Sequence, residues 1–201
     1  MLKIFHAPRT RSHRILWLCE EMGVPYDIVM VKFGDPGPEF LAINPLRSLP
    51  VIQDGDVTMI ESIAIMLYIT EKFGPTEIAL KPADPDYARY LQFLMYGEAG
   101  MAMYGNPLVA TKFWAPEEMR TNWTSEYLKK ALARRLGFVE DRIGDAPYVV
   151  GERFTAADIS VGYTIGMATF AADIEPSKKL QAYFDRLKAR PAYQRAVVHS
   201  T

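Results

Sequence analysis

Asn44-Pro45-Leu46-Arg47-Ser48-Leu49-Pro50-Val51-Ile52-Gln53-Asp54-Gly55-Asp56, closed by Ile60-Glu61-Ser62, is the stretch that decides how this chain folds. Proline has no N–H for a sheet ladder, so Pro50 is expected where a strand begins, with its neighbour's backbone left unpaired. A cis Leu49–Pro50 bond would turn the Leu49 amide and carbonyl outward, an open edge for an extended peptide. Asp54-Gly55-Asp56 between two β-branched runs, Val51–Gln53 and Val57–Ile60, reads as a hairpin. Glu61-Ser62 then opens an apolar helical run, Ser62–Phe73, which ends at Gly74-Pro75. A carboxylate, a hydroxyl and free helix N–H groups therefore meet at one spot. A ligand carrying both an ammonium and a carboxylate, such as a γ-glutamyl group, suits that combination.

Working outward, Leu2–Phe5 reads as a strand followed by the polar loop His6–Arg11. From Ser12 the apolar residues Ile15, Leu16, Cys19 and Met22 recur at helical spacing, with Glu20 and Glu21 on the other side. Gly23 and Pro25 stop that helix. Tyr26–Val31 is the second strand, and Glu39–Ile43 supplies a turn or two of helix. Two early strands joined through a helix run parallel, whereas the Asp-Gly hairpin is antiparallel. The result is an α/β, thioredoxin-like domain with a mixed four-stranded sheet, assigned to residues 1–80, and 74–83 has the composition of a linker.

Residues 84–201 read as an all-α second domain. Asp84–Asn106 is one helical segment, ended by Asn106-Pro107. Pro116–Ile143 is a second, which at ~1.5 Å per residue would be roughly 40 Å long. Thr155-Ala156-Ala157-Asp158 opens a third as a capping box, with Asp one methylene shorter than the usual Glu. Residues 176–198 give one or two final helices around Pro191.

The 201 residues, with a net charge of −1, carry none of the basic footprint of a nucleic-acid binder. One cysteine, Cys19, excludes an internal disulfide or a Cys-rich metal site, so no metal is expected. No signal peptide is visible at Met1–Phe5 and no apolar run is long enough to span a membrane, which points to a cytoplasmic setting.

Three pieces of the chain resemble the soluble glutathione transferases, and together they cover nearly all of it. They are Pro8-Arg9-Thr10-Arg11-Ser12-His13-Arg14-Ile15-Leu16-Trp17-Leu18 with Gly23-Val24-Pro25-Tyr26, the Asn44–Ser62 stretch, and Phe154-Thr155-Ala156-Ala157-Asp158-Ile159. The resemblance implies a homodimer whose co-substrate is glutathione and whose second substrate is a small hydrophobic electrophile. Two departures stand out. Many relatives read Asn-Pro-x-Gly-Lys-Val-Pro, where this chain has Arg47-Ser48. No tyrosine ends the first strand, where His6 stands instead. The chain is therefore similar to the serine/threonine- or cysteine-type bacterial groups rather than the tyrosine type, and their cysteine position falls near Arg11.

The chemistry such a family implies is thiol activation. A free thiol has a pKa of ~8.5, and lowering it by ~2 units takes about 2.7 kcal/mol of extra anion stabilisation. A hydroxyl at the start of the first helix, with N–H groups pointing the same way, supplies that order of magnitude. Thr10 and Ser12 are the two candidates, Thr10 slightly preferred, with Ser12 equally readable as a helix cap. Leu49 would bond the cysteinyl part and Pro50 set its geometry. Glu61 and Ser62 would hold the γ-glutamyl ends. Arg11, Lys32, Arg47 and Ser48 complete the glutathione set. His6 reads as structural, and Cys19 as inert packing. Tyr104 and Trp114, in a Met- and aromatic-rich stretch, are the candidates for the electrophile pocket of the helical domain. Two rival functions share these residues: a glutathione-dependent peroxidase or disulfide reductase, and a non-catalytic binding relative.

Overall fold

The computed structural model describes residues 1–199. The chain divides into two compact units, Met1–Thr76 joined by the final segment from Ala189, and Glu77–Lys188.

In the first unit the strands are β1 (Leu2–His6), β2 (Tyr26–Met30), β3 (Val51–Asp54) and β4 (Val57–Ile60), in the order β2-β1-β3-β4. β1 and β2 are parallel, and β1–β3 and β3–β4 are antiparallel. Gly55 turns the hairpin at φ 60, a conformation glycine adopts without steric cost. Helices α1 (Ser12–Met22), α2 (Pro38–Ile43) and α3 (Ser62–Lys72) complete the expected mixed-sheet arrangement.

Side chains alternate across a strand. Phe5 joins Phe40 of α2, Leu49 and Val51 in one buried cluster, the Phe5 and Phe40 rings 5.7 Å apart. Ile4 and His6 therefore point the other way, toward α1. That helix is buried on every side from Ser12 to Cys19. The burial has a cause outside the local sequence. Helix α9 (Pro191–Val197) returns to α1 and sets Tyr193 edge-on to Trp17, with ring centroids 4.9 Å apart. Arg190 pairs with Glu21 through two bonds of 2.7 and 2.8 Å, and Arg195 reaches Glu20. Glu20 and Glu21 are thus the acidic side of a helix pair. The segment from Ala189, expected with the helical domain 84–201, clusters with the first unit for this reason.

The second unit holds α4 (Tyr87–Met95), a π-helical segment Tyr96–Ala102, α5 (Met103–Trp114), α6 (Trp123–Ile143), α7 (Ala156–Ala172) and α8 (Lys178–Lys188). Two expectations fail here. Pro107 lies inside α5 rather than ending a helix, and the backbone stays helical from the π segment through Ala102 and Met103 into α5. At the fifth position of α5 it removes the hydrogen bond that would run to the Met103 carbonyl, the cost an interior proline carries. The expected Pro116–Ile143 helix is shorter, since Asn122 and Ser125 form a capping box that starts α6 afresh. Its length is then about 31 Å.

Asp158 fastens this unit. Its carboxylate accepts from Thr155 N–H at 2.8 Å, Val149 N–H at 2.9 Å and the buried Tyr183 hydroxyl at 2.9 Å. Burial pushes its carboxyl up to about 6, against the lowering effect of those bonds. Asp158→Ala strands three buried donors, so urea unfolding should lose about 3 kcal/mol or more. Asp158→Asn, which can accept on only one side, should recover part of that. Wild-type stability in the alanine variant would remove Asp158 from this role.

Candidate functional site

The register of β1, β3 and β4 builds the site. Phe5 pairs with Val51, and Val51 with Ile60, so the three strands end side by side. The loop after β1, the turn before β3 and the start of α3 after β4 therefore converge on one end of the sheet. β2 adds its own exit, with Met30 opposite His6.

The Leu49–Pro50 bond is cis. Leu49 is buried, while its backbone N–H and C=O take no partner among the described residues. The turn before it is held from beneath by Asn44, whose amide donates to the Ser48 carbonyl at 2.8 Å and to Ser48 Oγ at 3.2 Å. Asn44 Oδ1 accepts from Leu46 N–H at 3.1 Å, and Arg47 sits at φ 58 in the left-handed region. The backbone of this turn is fixed, and the Arg47 side chain stays exposed.

Glu61 also has a positive φ, 71, and it is exposed. It stands at the N-cap position of α3, but its side chain makes no capping bond, and its carboxylate forms no hydrogen bond or ion pair among the described residues. Backbone in such a region costs ~1–3 kcal/mol and persists where surrounding structure imposes it. Ser62 next to it is buried, and its Oγ accepts from Arg14 at 3.0 Å. With Oγ engaged as acceptor, the Ser62 O–H is left to donate to an anion. Arg14 itself is fully buried.

At the loop after β1, Thr10 and Ser12 hydroxyls stand 2.6 Å apart. Thr10 donates to the Ala7 carbonyl at 2.7 Å, and Ser12 Oγ lies 2.7 Å from His6 Nδ1. Ser12 is fully buried, whereas Thr10 keeps 8% of its surface. Ser12 therefore does not cap α1, whose N-cap is Arg11. Arg9 beside Thr10 has φ 61, so this loop too is held in an uncommon conformation. Lys32 reaches the same end of the sheet, with its ammonium bonded to Asp35 at 2.7 Å.

Cys19 is buried, and burial with the neighbouring Glu20 charge pushes its thiol up to about 12. That fits packing rather than reactivity.

The chain's first 71 residues match the glutathione S-transferase N-terminal domain and residues 105–194 match the C-terminal domain of the same family. A theta class glutathione S-transferase from Xanthomonas axonopodis pv. citri, solved with glutathione bound, is 30% identical. It superposes with a TM-score of 0.82 over 98% of this chain and 96% of its own. The chain belongs to the glutathione S-transferase family. Glutathione S-transferase 3 of Schizosaccharomyces pombe is 28% identical, covering 96% of this chain and 85% of that protein. The disulfide-bond oxidoreductase YfcG of Escherichia coli is 25% identical over 98% of this chain and 95% of its own. Among the described residues no helix is long and apolar enough to cross a membrane.

Tyr104 and Trp114 belong to the second unit. Ten residues apart on α5, they are separated by about 15 Å along the axis and by roughly 80° around it. Tyr104 is half-buried, its ring 3.6 Å from the Arg135 guanidinium carbon. Trp114 is exposed. Within their own unit they do not share one wall.

Sequence reasoning missed Arg14 and set His6 aside. Arg14 sits on a helix whose apolar spacing hides it, but a lone arginine inside the buried Ser12–Cys19 run was the available signal. Asn44→Ala removes the three side-chain bonds that hold the turn before Leu49. Thermal unfolding should report a loss of about 1–2 kcal/mol, and an unchanged melting curve would mean the turn is held otherwise.

Proposed function

We propose that this chain binds glutathione extended along the open Leu49 edge and activates its thiol at Thr10 for transfer to small hydrophobic electrophiles. The observation that carries this reading is Glu61. It is exposed at positive φ, without a partner, beside the Arg14-supported Ser62 and at the same sheet end as the unpaired Leu49 backbone. A γ-glutamyl ammonium would meet the Glu61 carboxylate, and its carboxylate the Ser62 hydroxyl and the α3 N–H groups. The cysteinyl backbone would pair with Leu49, as an added strand does. Arg47, Ser48 and Lys32 are the groups on the side of the glycyl carboxylate.

Thr10 rather than Ser12 would face the sulfur, because Thr10 retains surface and Ser12 none. On this reading the chain would be a serine/threonine-type member, with Arg11 adding positive potential. Tyr104, half-buried beside Arg135 on the second unit, and Trp114, exposed at another point of the same helix, would be separate contacts for the electrophile. A second reading, reduction of disulfides by bound glutathione, draws on the likeness to YfcG. A small mixed disulfide offered in place of chlorodinitrobenzene separates the two.

In calorimetry, Glu61→Ala and Ser62→Ala should each weaken glutathione binding about 10- to 100-fold, the worth of a hydrogen bond to a charged group. Thr10→Val should leave binding within about threefold and lower kcat by about 10- to 100-fold. Full turnover in Thr10→Val would take the thiol away from that hydroxyl.

A further inference from the structure

Behind Thr10 runs an unbroken line of short polar contacts that ends at the His199 carbonyl, just past α9. The Ala7 carbonyl, Thr10 Oγ1, Ser12 Oγ and His6 Nδ1 follow one another at 2.7, 2.6 and 2.7 Å, and His6 Nε2 meets the His199 carbonyl at 2.6 Å. His6 and Ser12 are fully buried, so neither is supplied from bulk water.

Counting protons along this line gives an odd result. A carbonyl oxygen only accepts, so Nε2 of His6 must carry a proton toward His199. The Thr10 hydroxyl must likewise donate if its contact with Ala7 is a hydrogen bond. With neutral His6, only the Ser12 proton remains for the two middle contacts, His6–Ser12 and Ser12–Thr10. Four contacts share three protons. One further proton, placed on Nδ1, completes all four, with Nε2 donating to His199 and the other three bonds running from Nδ1 toward Ala7.

We infer that His6 is the proton store of this site, taking the glutathione thiol proton through Thr10 and Ser12 when glutathione binds. The inference rests on the thiol-activating role proposed above for Thr10. Thr10 turns its O–H from the Ala7 carbonyl to Ser12. The S–H bond then breaks with the electron pair staying on sulfur. The sulfur's proton passes to Thr10 Oγ1, the Thr10 proton to Ser12 Oγ and the Ser12 proton to His6 Nδ1. The products are a thiolate receiving the Thr10 O–H and an imidazolium held by Ser12 and the His199 carbonyl. Nothing else is made or consumed. His6 touches neither substrate, so it is a positioning residue rather than a catalytic one.

The surroundings favour a resting neutral ring. Burial pulls the His6 pKa down, and the bond to the His199 carbonyl partly opposes that. The other titratable groups acting on it are His13 on α1 and the His199 side chain. Burial and His6 together hold His13 at about 4, so it stays neutral and does not compete for the proton. From β2, Val31 donates its N–H to the His6 carbonyl at 2.8 Å and brings no charge. The charge that stabilises the imidazolium is then the thiolate it creates.

The test follows nitrogen NMR of the histidine rings and thiolate ultraviolet absorbance in the unaltered protein. Adding glutathione should protonate His6 Nδ1 in step with the thiolate band, and S-methylglutathione, which has no thiol proton, should leave His6 neutral. Ser12→Ala, which cuts the line but keeps His6, and His6→Asn should each raise the bound thiol's apparent pKa by about one unit or more. A thiolate band with Nδ1 unprotonated would overturn the inference and leave the Thr10 assignment standing. So would protonation by S-methylglutathione, or an unmoved thiol pKa in Ser12→Ala. Absence of a thiolate band in the unaltered protein would overturn both.

Discussion

The register that sets Phe5 beside Val51 and Val51 beside Ile60 is the constraint on which the rest of the first unit depends. A slip of one residue would turn Phe5 and Val51 away from Phe40 and bury the opposite face of each strand. It would also carry Leu49, Glu61 and the Thr10 loop away from one another, since each is tied to a strand end by only a few residues. Core packing and site assembly are thus one requirement. The sheet order places a parallel strand on one flank of β1 and a hairpin on the other, so that loops from four strands reach the same end.

Polar groups are concentrated on the first turn of α1, where the core would be better served by apolar ones. His6, Thr10, Ser12, His13, Arg14 and Ser62 are all buried. Removing a hydroxyl or amide from water costs ~1–3 kcal/mol unless it is bonded, and a guanidinium costs more. The line from Ala7 to His199 and the Arg14–Ser62 bond recover part of that cost. A sequence chosen only for stability would place leucine and alanine here. The network is rigid because its members bond one another, and that rigidity is what a site needs to aim a hydroxyl at one atom.

Features fixed by local chemistry were legible in the sequence. The Asp-Gly hairpin, the break at Gly23, the Thr155–Asp158 box and the strand–helix–strand opening each rest on neighbours in the chain. Those that escaped depend on partners far away. Glu20 and Glu21 look like a solvated face until Arg190 and Arg195 arrive from 169 and 175 residues on. Pro107 reads as a stop because nothing nearby announces that the helix runs on from the π segment and past it. Gly97 within that segment has Ser160 so close that an added Cβ would lie 2.5 Å from its backbone, a tertiary reason for an irregular helix. For the site, residue types and spacing pointed to Glu61, Ser62 and Leu49, and the family resemblance to Thr10. Spacing does not say that Ser12 is sealed behind Thr10, or that Arg14 lies beneath Ser62.

His6 shows why the last step needs the structure. Read alone, a histidine at the end of a strand is a core residue with a satisfied ring, and that description is accurate. Its ring is buried and both nitrogens have partners. What the description omits is the identity of those partners. A carbonyl on one nitrogen fixes the tautomer, and a hydroxyl on the other is the only proton source left for two contacts. The same two bonds that make the ring structural leave it short of one proton and connect it, through Ser12, to the Thr10 hydroxyl with its remaining surface. Structural and chemical roles are therefore not alternatives at this residue, because the bonds that hold the ring in place also define the path by which a proton reaches it.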